Sequence, residues 1–164
     1  MAVRMELSRI LIRELVDYQI IELREIDAGE EPAEPTEDVF AFEDDEDDRV
    51  NGDRRTFPIV IGLPEAQAIE RRLKGVPIKR PQTHDLLANV MERLGGTLES
   101  ICINDLTEHT FFARLRVRTS DGELIEIDSR PSDAIALGIA KGVPIEVEEH
   151  VLDSALDDDG PGVP

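Results

Sequence analysis

The fold turns on one stretch, "TFFARLRVRTSDGELIEIDSRPSDAIALGIAKGVPIEV" (residues 110–147). It opens on strict alternation: Phe111, Ala113, Leu115 and Val117 on one side, Phe112, Arg114, Arg116 and Arg118 on the other. A period of two is the mark of a strand with one face in a core. After "TSDG" the alternation resumes with Ile125 and Ile127 against Glu126 and Asp128. A two-residue Asp121-Gly122 turn would set Val117 opposite Glu126, mixing core with charge. A three-residue loop, Ser120-Asp121-Gly122 with the glycine left-handed, sets Val117 opposite Ile125 and Leu115 opposite Ile127. The second register keeps both faces consistent, and it places Arg116 opposite Glu126 and Arg114 opposite Asp128. "DSRPSD" then starts a nearly all-apolar helix over about 131–141, and a strand follows at 144–148. Two strands, a buried helix and a return strand make an α+β pattern.

Working outward, residues 6–26 read as two strands broken near Val16-Asp17, and "RRTFPIVIG" (54–62) as another. "LPEAQAIERRLKG" (63–75) is a helix with Pro64 near its start, Ala66, Ile69 and Leu73 on one face, and Gly75 as its stop. "RPQTHDLLANVMERLGG" (80–96) is a second helix, in which Leu86, Leu87, Val90, Met91 and Leu94 follow the 3.6-residue period. A strand at about 97–106 precedes the hairpin, and a short helix starts near 149. The expectation is one α+β domain over 1–156, with about three main helices.

Between the second and third strands lies "GEEPAEPTEDVFAFEDDEDDRVNGD" (29–53), acidic and without period, which reads as a disordered insertion at the tip of a hairpin. Residues 157–164 read as a flexible acidic tail. The net charge of -19 is unevenly spread. Residues 30–53 hold twelve Asp/Glu and one Arg, residues 153–164 hold four Asp, and the remainder carries only -4. A nucleic-acid partner is therefore compatible with the folded part, though weakened by the insertion. There is a single cysteine, Cys102, so no internal disulfide forms; it lies in "ESICIND", which reads as a buried strand with a core thiol. "MAVRMELSRI" lacks the apolar run of a signal peptide, and no segment nears the roughly 20 apolar residues of a membrane span. The expected location is the cytoplasm.

Two features carry chemistry. Arg114, Arg116 and Arg118 form a basic stripe beside Phe112, suited to phosphates and base stacking, or equally to cross-strand ion pairs. Arg71, Arg72, Lys74, Lys79 and Arg80 form a second basic group. The second feature is an echo: "RPQTHD" (80–85) and "RPSD" (130–133) both open helices. Proline in a first turn, Thr83 or Ser132 as caps and Asp85 or Asp133 at the positive helix end explain most of it without any function. The arginines and His84 are left over, and a helix start with arginine beside it suits a phosphate. Phosphodiester hydrolysis needs an activated water, stabilised phosphoryl charge and a protonated leaving group. Asp85, Asp105, Asp128 and Asp133 are candidate ligands for Mg²⁺ or Mn²⁺, with Glu65 more remote. His84 is the candidate acid/base and Arg130 the oxygen clamp.

"FPIVIGLPEAQAI", "RPQTHDLLANVMERLG", "INDLTEHTFFARL" and "EIDSRPSDAIALGIAKGVPIEV", in this order from about Met5 to Leu156, resemble the bifunctional nuclease domain family. The resemblance implies a mixed, strongly curved or barrel-like sheet, homo-oligomers (dimer or higher) and nuclease activity on DNA and RNA. Its polar signature falls on Thr83, His84, Asp85, Asp105, Thr110, Asp128, Arg130, Ser132 and Asp133. The chain departs from it at Phe112, where tyrosine is common, at Val60 in place of an aromatic, and at Ser129 in place of alanine. The leading expectation is a metal-assisted nuclease with Asp85, Asp128 and Asp133 on the ion or water, and Arg80, Arg114, Arg116 and Arg118 on nucleic acid. The alternative is a non-enzymatic module that binds nucleic acid or protein, in which the polar signature is structural.

Overall fold

A computed structural model describes residues 1–13, 15–33 and 54–157. Most of the 29–53 insertion and nearly all of the 157–164 tail lie outside the described residues. The described part holds strands β1 (Ala2–Leu11), β2 (Gln19–Glu25), β3 (Thr56–Ile61), β4 (Thr97–Thr107), β5 (Thr110–Arg118), β6 (Leu124–Ser129) and β7 (Ile145–Glu148). The helices are α1 (Leu63–Leu73), α2 (Thr83–Arg93), α3 (Pro131–Lys141) and α4 (Glu149–Asp157).

All seven strands form one sheet in the order β3-β2-β1-β7-β4-β5-β6. The sheet is mixed, because β4 and β7 run parallel while the other neighbours are antiparallel. It is open, with β3 and β6 as edges, so the barrel-like closure expected above does not occur. Beside three main helices, the short helix expected near 149 is α4, which buries Val151 and Leu152 against the core.

The hairpin has the expected register. Leu115 pairs with Ile127, Val117 with Ile125, Arg114 with Asp128 and Arg116 with Glu126. The loop is closed by the Thr119 amide on the Glu123 carbonyl at 2.8 Å, and Gly122 takes φ +85°, a conformation open to glycine and strained for other residues. Alternation then separates two faces. Ile101, Ile103, Ala113, Leu115, Ile21 and Phe57 pack under the helices, and α3 buries Ile135 and Leu137 completely. Each such side chain contributes about 1.5–3 kcal/mol on leaving water. The other face carries the arginines of β5.

α2 differs from its period. Its buried residues are Asp85 and Ala88, whereas Leu86, Leu87, Val90 and Leu94 are exposed. The periodicity marks a real stripe, but that stripe is turned away from the core.

Candidate active site

Three helix starts meet at one place, each with an acid as its third helical residue. The N-cap positions are Gly62, Gln82 and Arg130, so the acids are Glu65, Asp85 and Asp133. An acid there sits in the field of the unpaired amides that end a helix. The hydroxyl residues expected as caps are displaced inward: Thr83 is the first residue of α2, and Ser132 is the second of α3 and buried.

His84 Nε2 lies 2.8 Å from Asp133 Oδ1. Arg130 Nε donates to Asp133 Oδ2 at 2.8 Å, and its Nη2 donates to Glu65 Oε1 at 3.0 Å. One residue beyond His84, the Asp85 carboxylate accepts from the Gln82 amide at 3.0 Å and pairs with Arg72. Glu65 and Arg72 both belong to α1. The contacts form an open polar ring across three helices, Glu65 to Arg130 to Asp133 to His84, with the separate Asp85–Arg72 pair alongside.

The charges in the ring follow from these contacts. Burial works to raise the Asp133 carboxyl, but hydrogen bonds from Arg130 and His84 outweigh it and hold the group below the usual carboxylate range. Asp133 is thus an anion that only accepts hydrogen bonds, so His84 Nε2 carries the proton between them. The Asp133 and Glu65 carboxylates in turn raise the Arg130 guanidinium. Arg130 is 66 % exposed, and its Nη1 makes no hydrogen bond among the described residues.

Of the expected site residues, His84, Arg130 and Asp133 are brought together. Asp85 adjoins them but is occupied by Arg72. Asp128 and Arg130 line an open cleft of about 760 Å³, with Thr110, Ser129 and Asp133 at the same end and apolar walls from α2, β5 and β6. Asp105 lies on β4, holding its own Leu106 amide and Thr107 hydroxyl, with His150 4.0 Å away. Among the described residues no group of three or more His, Cys, Asp or Glu side chains is placed to hold a metal. Asp85, Asp105, Asp128 and Asp133 do not gather in one such group among the described residues.

The arginine stripe of β5 is paired. Arg114 binds Glu126, Arg116 binds Glu126 and Glu146, and Arg118 binds Glu99 and the Gly122 carbonyl. The hydrogen bond from Arg118 lowers the Glu99 carboxyl. In the second basic group Arg72 is committed to Asp85, while Arg71, Lys79 and Arg80 form no ion pair among the described residues. Cys102 is a buried free thiol that burial pushes up to about 11.

Comparison with known proteins now bears on this ring. A family profile described as "Bifunctional nuclease domain" matches residues 48–158, from ahead of β3 to the end of α4. The chain belongs to the bifunctional nuclease domain family. Every member of the polar ring falls inside the matched span, whereas β1 and β2 precede it. An uncharacterized protein of Mycobacterium tuberculosis (strain H37Rv) is 45% identical over 105 residues, 64% of this chain and 61% of that one. Bifunctional nuclease 1 of Oryza sativa subsp. japonica is 24% identical over 103 residues, 62% of this chain and 31% of that protein. Bifunctional nuclease 1 of Arabidopsis thaliana is 22% identical over 97 residues, 58% of this chain and 30% of its own. The match thus spans about three fifths of the mycobacterial relative and under a third of the plant ones.

Glu65 is the member that sequence reasoning underrated. Its only local signal is its place as third residue of a helix that begins Gly-Leu-Pro, the position held by the other two acids.

Proposed function

We propose that this chain is a nuclease that hydrolyses phosphodiester bonds in DNA or RNA at the His84–Asp133–Arg130 cluster. The observation that carries the reading is the 2.8 Å contact between His84 Nε2 and an Asp133 carboxylate that Arg130 braces from the other side. A carboxylate that fixes the imidazole tautomer and leaves the second nitrogen free is the arrangement of a general base. His84 Nδ1 takes a proton from water as the water oxygen bonds to phosphorus. The bond from phosphorus to the leaving sugar oxygen breaks, and that oxygen receives the proton from the imidazolium. Arg130 Nη1 donates to a non-bridging phosphoryl oxygen as negative charge grows there. Family membership and the printed names of the plant relatives support the reaction class.

Arg80 and Lys79, exposed in the loop before α2, suit the approach of the phosphate backbone. The paired arginines of β5 contribute less, because nucleic acid must compete with Glu126, Glu146 and Glu99. The -11 charge of residues 30–53 opposes binding by repulsion. No helix among the described residues is long and apolar enough to cross a membrane. A cytoplasmic setting suits the single free thiol.

One observation favours a second reading. Each carboxylate of the ring already has a cationic or imidazole partner, as a purely structural hub linking three helices would. The chain would then be a binding module. A nuclease assay on purified wild type and His84→Ala separates the two: loss of activity with an unchanged fold supports the enzyme, and equal activity refutes the site.

A further inference from the structure

The polar ring leaves the cleft beside it without a role. Arg130 and Asp133 belong to both: they hold Glu65 and His84 in the ring, and they line one end of the cleft of about 760 Å³. Away from that end the lining changes character. Leu87 and Val90 from α2 stand across from Leu115, Ile125 and Ile127 of the β5–β6 hairpin. The volume lies within the roughly 300–1,000 Å³ of a small-molecule site.

Phe112 adds an aromatic ring at the polar end. Ala113 pairs with Ser129, so the residue before it stands level with Arg130, and its side chain is 40% exposed. Leu87 and Val90 are each 44% exposed, so the apolar wall opposite is also open to an occupant from solvent. What fits is a flat or apolar body that carries a group for the guanidinium at one end. A phosphodiester held beside His84 brings such a body with it, the base of the adjoining nucleotide.

We propose that the cleft seats one unpaired base, stacked between Phe112 and the α2 wall, while the phosphate attached to its sugar lies on Arg130. This assignment rests on the phosphodiester chemistry proposed for the ring, and it names the substrate class: single-stranded nucleic acid, in which DNA and RNA offer the same base faces. A base inside a duplex is stacked on both sides and held by its partner, and it enters a slot only after costly extrusion. Apolar walls read no hydrogen-bonding pattern, so the cleft selects for an unpaired base and not for a particular one.

The test is the cleavage rate at one linkage of a single-stranded oligonucleotide, in deoxy and ribo form. The flanking base is either present or replaced by an abasic sugar, and the intact sequence is also presented as a duplex. The abasic sugar keeps the phosphates and their charge and removes only the stacking body. Wild type is compared with Phe112→Ala and Val90→Asn, both neutral changes at exposed positions, with circular dichroism as the check on folding. Wild-type kcat/KM beside a base should exceed that at the abasic linkage and in the duplex by about 10-fold or more, and both variants should narrow the ratio. Equal cleavage with and without the base, or a ratio unchanged in both variants, would overturn the proposal and leave the reaction at the ring standing. A wild type that cuts none of these substrates would refute the reaction itself, and the base subsite falls with it.

Discussion

Replacing Gly62 by alanine perturbs the ring without substituting any of its members. A methyl group built on Gly62 runs into Glu65 Oε2 and comes within 3.4 Å of Glu65 Cδ. The obstructing atoms are the far end of a flexible side chain, so Glu65 can swing aside. Gly62 has φ -78° and ψ 160°, which alanine adopts freely. An off-rotamer glutamate costs about 0.5–1.5 kcal/mol, and the stiffer unfolded chain returns about 0.4–1 kcal/mol. Stability should therefore change by less than about 1 kcal/mol, well inside what a denaturant melt resolves. The site should respond more. Glu65 is the second anchor of Arg130, at 3.0 Å, and a displaced carboxylate frees the guanidinium to leave Asp133. Loss of one charge-assisted hydrogen bond, discounted because Arg130 is mostly exposed, amounts to about 0.5–1.5 kcal/mol, or roughly 2- to 10-fold in nuclease kcat/KM. Glu65→Gln keeps the shape and one acceptor, so its loss should be the smaller. Full activity in Gly62→Ala, in a protein that melts like wild type, would show that the Glu65–Arg130 contact does not position the site.

Three more outcomes follow from the same contacts. Arg72→Ala leaves the buried Asp85 without its cation and should cost about 1–3 kcal/mol in a urea melt. The Asp133 carboxyl is held below its unfolded value, so its contribution to stability is present above the unfolded pKa, near ~4, and disappears as pH falls through the folded one. The stability gap between wild type and Asp133→Asn should accordingly be constant near neutrality and shrink in acid; a gap independent of pH would contradict the pairing. Deleting residues 34–53 should tighten oligonucleotide binding at low salt, with the gain vanishing at high salt; unchanged affinity would remove the insertion from the account.

Much of this architecture was legible where local chemistry is specific. The β5–β6 register follows from two alternations and one Asp-Gly, because a slip by one residue would put Glu126 against Val117. The span of α3 follows from Pro131, an apolar run and Gly142. The orientation of α2 was not legible, since a helical period says which residues share a face and nothing about where that face points. Leu86 and Leu94 look like core residues until Ala88 and Asp85 are seen beneath them. The site was half legible. His84 and Asp133 stood out through the Arg-Pro echo, yet the echo misplaced its own arginine. Asp85 is served by Arg72 from α1, and Arg80 lies two residues ahead of the cap. Glu65 meets Arg130 across 65 positions of chain, a distance over which no periodicity or spacing speaks. Nor could four separate aspartates reveal that Asp85 is held by Arg72, Asp105 by its own neighbours and Asp133 by Arg130 and His84.

The measurement closest to the central claim is a nuclease assay on single-stranded and duplex substrates. Purified wild type, His84→Ala and Asp133→Asn are compared, each with and without EDTA. Proton transfer at His84 predicts cleavage by wild type, and the EDTA arm tests whether a divalent ion takes part. Both variants should fall by about 100-fold or more while keeping their fold. Cleavage that survives in both variants would contradict the account.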